Sequence, residues 1–317
     1  MAIKILKNGI LDTVQDSGRI GYRAFGFGPG GPMDPTAFMI ANILVGNDSG
    51  AGALEFSFPS PELEFTKASV ISICGGEFSP SINGIEIDTW CPVLIRKGDR
   101  LTFKKNIFGR FAYLAVSGGI LSEMILGSVS TNPKVPIGER CGRALLKGET
   151  IEIGVGATDV LGRVAAGHSI RPRYSDAPTI RVTRGPEFHS LDSESIEKFD
   201  ELDFKVTNSS DRMGYRMSGS IGEISESSSM LSSPVTFGTI QVPPDGNPIA
   251  LMADHQTTGG YPRVAQILMT DLPLLAQLQP GKRLGFKIVN SDHAAELLME
   301  RNRDLRMLAL ASRNILK

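Results

Sequence analysis

Long apolar runs are missing from this chain of 317 residues, and without about twenty consecutive apolar residues no helix crosses a bilayer. A surplus of either charge is missing as well. The 33 Lys and Arg against 34 Asp and Glu leave a formal charge of −1, which removes the electrostatic footprint of a nucleic-acid binder or of a protein drawn to anionic membranes. Cys74, Cys91 and Cys141 are odd in number and widely spaced, so neither a disulfide scaffold nor a zinc site is indicated, and reduced thiols in a cytoplasm are the simpler account. His168, His189, His255 and His293 are scattered, with no His-x-x-x-His or Cys-x-x-Cys pattern, which leaves metal binding without support. The start, Met1-Ala2-Ile3-Lys4-Ile5-Leu6-Lys7, alternates like a strand and lacks the apolar core and cleavage site of a secretory signal. The expectation is a cytoplasmic protein with neither nucleic acid nor membrane as partner.

What is present is an internal echo. Ser17-Gly18-Arg19-Ile20-Gly21-Tyr22-Arg23 returns as Ser210-Asp211-Arg212-Met213-Gly214-Tyr215-Arg216, and Tyr is scarce in this chain. In the same order, Lys97-Gly98-Asp99-Arg100-Leu101-Thr102-Phe103 returns as Pro280-Gly281-Lys282-Arg283-Leu284-Gly285-Phe286. Two echoes in one order argue for duplication, and the length fits two domains of roughly 150 residues each. In the second echo, Gly turns the chain, a charge faces solvent, and Leu-x-Phe places two apolar side chains on one sheet face, which describes a strand start. In the first, Arg-x-Gly-Tyr-Arg offers two cations around an amphipathic Tyr; a structural corner with surface Arg is the competing reading.

Most of the chain reads as short strands punctuated by Gly, Pro, Asn and Asp. Asn83-Gly84 inside Ser81-Ile82-Asn83-Gly84-Ile85-Glu86-Ile87 supplies the two positive φ angles of a tight hairpin. Further strands are expected over 69–74, 93–96, 110–116, 179–183, 249–252, 264–268 and 284–289, a pattern of barrels or sandwiches rather than a doubly wound sheet. Asp34 can cap a helix starting at Pro35, with Ala37, Ile40, Ala41 and Leu44 on one face and Gly46 past its end. A C-terminal helix from Asp292 carries Leu297, Leu298, Leu305 and Leu308 at helical spacing. Residues 168–178 read as a linker and 225–233 as a Ser-rich loop. The predicted division is 1–170 and 179–317, mainly β, with a few short helices and the C-terminal helix.

The densest polar and glycine-rich block is Gln241-Val242-Pro243-Pro244-Asp245-Gly246-Asn247, followed by Asp254-His255-Gln256-Thr257-Thr258-Gly259-Gly260-Tyr261-Pro262. Gln256 offers an amide, Thr257 and Thr258 offer hydroxyls, and Gly259-Gly260 lets backbone N–H groups approach a carboxylate, amide or phosphoryl oxygen. Pro-Asp-Gly is also a common turn, so Asp245 has a purely conformational reading too. Arg212 and Arg216 could hold an anion, with Asp211 orienting one of them or acting as a base; a plain ion pair at a strand corner is the alternative. The run Gly26-Phe27-Gly28-Pro29-Gly30-Gly31-Pro32-Met33-Asp34 leads into a helix N-terminus, where anions are favoured, but it is neither a P-loop nor a dinucleotide fingerprint, and Asp34 is better read as a cap. Ser117-Gly118-Gly119 has no base to activate a nucleophile and is read as a turn.

At Thr13-Val14-Gln15-Asp16-Ser17-Gly18-Arg19, Ala53-Leu54-Glu55, Tyr113-Leu114-Ala115-Val116-Ser117-Gly118-Gly119, 211–216, 241–246 and 256–262, nearly the whole chain in order, the sequence resembles the biotin-dependent carboxyltransferase, or allophanate hydrolase subunit 2, family. Standalone members of that family include the C subunit of 5-oxoprolinase, and the KipA-type antagonist of a histidine-kinase inhibitor. The resemblance implies two cyclophilin-like β-barrel domains. It implies two partners from the same enzyme, a B subunit resembling allophanate hydrolase subunit 1 and a further A subunit. It also implies a small amide or lactam as substrate, and ATP-dependent opening of 5-oxo-L-proline to L-glutamate. It does not place the ATP site in this chain. Two other roles follow from the same family: a carboxyltransferase acting on urea or a similar amide, with biotin brought on a partner because no Met-Lys-Met biotinylation site is present, and a regulatory binder of a kinase inhibitor. Carried over to this chain, the resemblance groups Asp211, Arg212, Arg216 and Asp245 as catalytic. It groups Tyr215, Gln241, Gln256, Thr257, Thr258, Gly259, Gly260 and Tyr261 around the substrate. His255 stands where the family often has Arg, and Ser232-Ser233 where Ser-Glu is common; both departures bear on substrate rather than fold.

Overall fold

The computed structural model describes residues 2–137, 142–201, 203–222 and 230–316; Cys141 and part of the Ser-rich loop lie outside the described residues. The chain divides into two compact units, the first made of residues 1–19, 30–172 and 301–317 and the second of 20–29 and 173–300. Residues 20–29 and 301–317 are each counted with the other unit from the one a contiguous division would give them.

The first unit is built from two antiparallel sheets. One orders Ile120–Leu121, Thr150–Ile153, Ala2–Lys7, Glu62–Phe65, Arg100–Phe103, Pro80–Ile82 and Ile85–Glu86; the other orders Thr13–Gln15, Ala53–Phe56, Phe108–Val116, Ser69–Glu77 and Val93–Ile95. Alternation along each strand turns one set of side chains inward. Ile3, Ile5, Leu63, Phe65 and Leu101 from the first sheet meet Leu54, Phe56, Ile71, Ile73 and Leu114 from the second in one core. Asn83 and Gly84 take φ of 51° and 85°, as a two-residue hairpin with the twist of its strands requires. The helix Pro35–Leu44 starts where expected: Asp34 Oδ1 accepts the Ala37 N–H at 2.9 Å, and Ala37, Ile40, Ala41 and Leu44 are fully buried.

The second unit is a closed seven-stranded barrel, in order Thr179–Arg184, Arg263–Ile267, Thr239–Gln241, Ile249–Leu251, Gly214–Ser218, Phe204–Val206 and Arg283–Ile288. All neighbours are antiparallel except the last, which returns to pair in parallel with Thr179–Arg184 and closes the ring. Phe199, from the helix Ser193–Glu201, stacks on Phe286 at 4.9 Å between ring centroids, with Phe204 beside it. That helix has no counterpart in the sequence-based reading: it is only nine residues long, and of these only Ser195 and Phe199 are buried.

The second echo is a structural repeat. Gly98 (φ 85°) and Gly281 (φ 92°) both take the left-handed turn. Gly98 N–H donates to Phe65 O at 2.7 Å and Phe65 N–H to Asp99 O at 3.0 Å; Gly281 N–H donates to Val206 O at 2.7 Å and Val206 N–H to Lys282 O at 2.9 Å. The first echo agrees only at its leading Arg. Arg19 and Arg212 are both buried, Arg19 on the Ser130 carbonyl and Arg212 on Asp254. Beyond that point Gly214–Ser218 continues as a barrel strand, whereas residues 20–29 leave the first unit and form a 3₁₀ turn, Arg23–Phe25, in the second. The C-terminal helix, Ser291–Arg313, buries Leu305 and Leu308 while Leu297 and Leu298 are only half-buried. Among the described residues no helix is long and apolar enough to cross a membrane.

Candidate functional site

The second unit gathers most of the polar glycine block into one loop and fixes it from three sides. At its start, Asp254 N–H donates to Arg212 O at 2.8 Å, and the Arg212 guanidinium returns two bonds to the Asp254 carboxylate, Nε to Oδ2 at 2.7 Å and Nη2 to Oδ1 at 3.0 Å. Both side chains are buried, so this pair is held by mutual attraction in a medium that would leave either charge costly alone. Next, His255 is 1% exposed, with Nδ1 at 2.5 Å from Gln256 O. Burial pushes its imidazole pKa down, with the positive charge of Arg23 adding to the effect and the Gln256 carbonyl opposing it. The ring is therefore neutral at pH 7, with the hydrogen on Nδ1 donated to that carbonyl. Thr257 O accepts the Val235 N–H at 3.2 Å, and Thr258–Gly259 pairs antiparallel with Ser233–Pro234.

Gln241 forms the floor. It is 2% exposed, and its Nε2 donates to Tyr261 O at 2.8 Å. A Cβ on Gly259 would lie 2.6 Å from that nitrogen and 2.8 Å from Oε1, so only glycine lets the loop lie flat on the amide. Arg263 clamps the far side, its Nε on Glu187 Oε2 at 2.8 Å and Nη1 on Pro234 O at 2.8 Å; the Arg263 bond in turn holds the Glu187 carboxyl below the usual range. The third wall is the segment 20–29. Arg23 Nη2 donates to Val235 O, and Gly28 sits so close to His255 O that a Cβ would come within 2.9 Å. What this frame leaves to solvent is the Gln256 amide, the Thr258 hydroxyl and the Tyr261 ring, with Thr257, Gly259 and Gly260 half-buried between them. Such a set offers neutral hydrogen-bond donors and acceptors with the Arg23 cation beside them, which suits an amide or lactam carrying a carboxylate.

Not every expected residue joins this loop. Tyr215 is fully buried and its hydroxyl donates to Ala276 O at 2.8 Å, so it is a core residue of the barrel and touches no ligand at the loop; its inward position in an alternating strand decides this. The Arg212 guanidinium faces Asp254 and supports the loop from beneath rather than holding an anion. Asp211 Oδ1 accepts the Met213 N–H at 2.8 Å and shapes the corner. Arg216 lies on the outward face of its strand and is exposed. Asp245 is exposed in its own turn, with its carboxylate on Asn247 N and Nδ2 at 3.1 Å each. In the first unit, the N-terminus of Pro35–Leu44 is closed to a phosphate, because the buried Asp34 carboxylate occupies it and Tyr113 OH and Glu55 Oε2 take the N–H groups of Asp34 and Met33 at 2.7 and 2.8 Å. Ser117 Oγ donates to Val45 O at 2.9 Å and accepts from Ala157 N, as a turn residue does. Among the described residues no three His, Cys, Asp or Glu side chains gather as metal ligands. Sequence reasoning passed over Arg23 and Arg263 in this site; the Tyr-Arg of the first echo was the available signal for Arg23, and nothing local marks Arg263.

The model of the carboxyltransferase domain, subdomain A and B, matches residues 25–288. The chain is 35% identical over 307 residues to the C subunit of 5-oxoprolinase from Escherichia coli, covering 97% of each chain. It is 30% identical to urea amidolyase of Lachancea kluyveri, covering 93% of this chain and 17% of that one. The crystal structure of the Kluyveromyces lactis urea amidolyase superposes with a TM-score of 0.89 at 30% identity, over 97% of this chain and 20% of that one.

Proposed function

The chain belongs to the family of the carboxyltransferase domain, subdomain A and B, and from that premise we propose that it is the C subunit of an ATP-dependent 5-oxoprolinase, opening 5-oxo-L-proline to L-glutamate together with the A and B subunits. The observation that carries this reading is the match at 35% identity over 97% of both chains to a protein of that name. The urea amidolyase relatives are several times longer, and this chain corresponds to one portion of them.

A lactam is a poor electrophile because its nitrogen lone pair delocalises into the carbonyl. ATP, held elsewhere on the assembly, would phosphorylate the carbonyl oxygen with release of ADP; one water then adds to the activated carbon and the ring nitrogen leaves as the amine, and a second water hydrolyses the resulting acyl phosphate to the carboxylate and phosphate. The part of this chain is to bind and orient. The Gln256 amide and the Thr257 and Thr258 hydroxyls hydrogen-bond the lactam N–H and C=O, and Gly259-Gly260 lets main-chain N–H groups reach the same oxygen. Arg23, bonded to the very residue that pairs with Thr257, takes the substrate carboxylate. Tyr261 closes the site over the ring. Gln241, Arg212 and Asp254 position the loop without touching substrate.

The same groups would hold a ureido or urea amide, and the fold likeness to urea amidolyase at TM-score 0.89 favours carboxyl transfer from a biotin carried by a partner as the second reading. The deciding experiment is glutamate formation from 5-oxo-L-proline and ATP by this chain co-purified with its B subunit, with the A subunit supplied in excess. Turnover lost on omitting this chain, and in Gln256→Ala and Arg23→Ala variants that still bind the B subunit, supports the 5-oxoprolinase reading. A stable complex without turnover overturns it, leaving carboxyl transfer or the regulatory role.

A further inference from the structure

The expected linker carries a second, unassigned feature within the first unit. Trp90, the single Trp of the chain, holds φ at 61°, a backbone conformation costly for a bulky residue and tolerated where surroundings enforce it. Here they do. Trp90 N–H donates to Ile73 O at 2.8 Å, and Trp90 O accepts the Ala166 N–H at 2.9 Å. The Arg171 guanidinium lies over the indole, 5.4 Å from its centroid, and its Nε donates to Ala166 O at 2.6 Å. Backbone, ring and guanidinium thus form a closed set that fixes Arg171, while its two terminal nitrogens have no acceptor among the described residues. Arg171 borders a cavity of about 900 Å³, whose wall also includes Arg163, Glu86, Asp88, Thr89 and Cys91.

The size is that of a small-molecule site, and the charge of the wall balances, with two Arg against two carboxylates. None of Arg163, Glu86 and Asp88 has an ion-pair partner among the described residues. Asp88 and Arg171 line the same cavity as Cys91; burial pushes the Cys91 thiol up, which makes it a wall residue rather than a nucleophile. We propose that this cavity binds a small zwitterion, an α-amino acid or a dipeptide, with its carboxylate on the fixed Arg171 guanidinium and its ammonium facing Asp88. Arg171 is pre-organised by the indole and so loses little freedom on binding. The cavity is lined by residues of the first unit alone, and the proposal does not depend on the function proposed for the loop of the second unit.

Trp90 makes the test direct. The full chain is titrated with L-glutamate, with glycyl-L-glutamate and with glutarate, which keeps the carboxylates and lacks the ammonium, while Trp90 emission is read and the alkylation rate of Cys91 is followed by mass spectrometry. Saturable quenching by L-glutamate identifies an amino-acid site, and quenching by glycyl-L-glutamate alone a dipeptide site; either is accompanied by slower Cys91 alkylation. Asp88→Asn, at an exposed position, weakens the zwitterion about tenfold, which corresponds to about 1.4 kcal/mol, and strengthens glutarate by removing a like charge. Arg171→Gln abolishes both responses. No saturable change at millimolar concentrations, quenching without protection of Cys91, or zwitterion binding unaltered in Asp88→Asn each overturns the proposal.

Discussion

Substituting Asn for Asp12 should stabilise the first unit above neutral pH and remove most of a pH dependence built into its fold. Asp12 is 1% exposed. Its Oδ2 accepts the Gly9 N–H at 2.6 Å, and Oδ1 has no hydrogen-bond partner among the described residues. Burial raises the carboxyl pKa from 3.8 to about 7, against the smaller opposing pull of the Gly9 N–H. Because the folded value lies above the unfolded one, the native state keeps its proton between these two pH values while the unfolded chain gives it up. The stability this contributes is complete below the unfolded value and is lost as pH rises through about 7. At about 1.4 kcal/mol per pH unit the window spans up to about 4 kcal/mol, with the opposing pull of the Gly9 N–H already contained in the value of about 7. Asn has the same shape and no charge. Its amide oxygen takes the Gly9 N–H, and its NH₂ replaces Oδ1, which borders the same gap as Pro59 O, each 2.6 Å from the point a Gly9 Cβ would occupy. Urea titrations followed by Trp90, which lies in the first unit, at about pH 5 and about pH 8 would show the wild type losing stability toward the higher pH and Asp12→Asn holding nearly level. An equal slope in both proteins would refute the assignment to Asp12.

Gly259→Ala drives a methyl into the Gln241 amide and breaks its bond to Tyr261 O, costing about 1–3 kcal/mol; turnover by the assembled complex should fall while binding of the B subunit persists. Arg212→Met leaves Asp254 buried without its cation and should cost about 3–5 kcal/mol, whereas the double variant Arg212→Met, Asp254→Leu should melt above either single one, as thermal unfolding would show. Tyr113→Phe removes the hydroxyl joining Glu55 Oε2 to the Asp34 N–H, each at 2.7 Å, and should lower stability by about 1–3 kcal/mol with no effect on the loop of the second unit. Gly28→Ala must displace the segment 20–29 from His255 O and should speed hydrogen exchange at Val235 and Thr257 without lowering the urea midpoint read at Trp90.

Local chemistry was legible in the sequence wherever one residue type suffices to set a conformation. Asn83-Gly84 fixed a hairpin, Asp34-Pro35 a helix start, and Gly98 and Gly281 two equivalent turns, because φ preference and side-chain capping act within a few residues. The echo of Arg-Leu-x-Phe carried the duplication, since an inward Leu and an outward Arg are demanded by any half-buried strand. The polar loop 254–262 stood out in the sequence because its composition holds too many specific groups for a simple turn, and ligand binding there is the proposal made above. Tertiary structure alone decided what became of residues with two possible environments. Tyr215 went into the barrel and Tyr22 into a turn although their flanking residues match, because one is part of a closed strand ring and the other leaves its own half of the chain to wall the loop of the second unit. Arg212 was claimed by Asp254, forty-two positions away, and Arg171, in what reads as a linker, was fixed on Trp90. Long-range pairing of charges and rings depends on which strands become neighbours, and no local pattern encodes that; only closure of the sheets does.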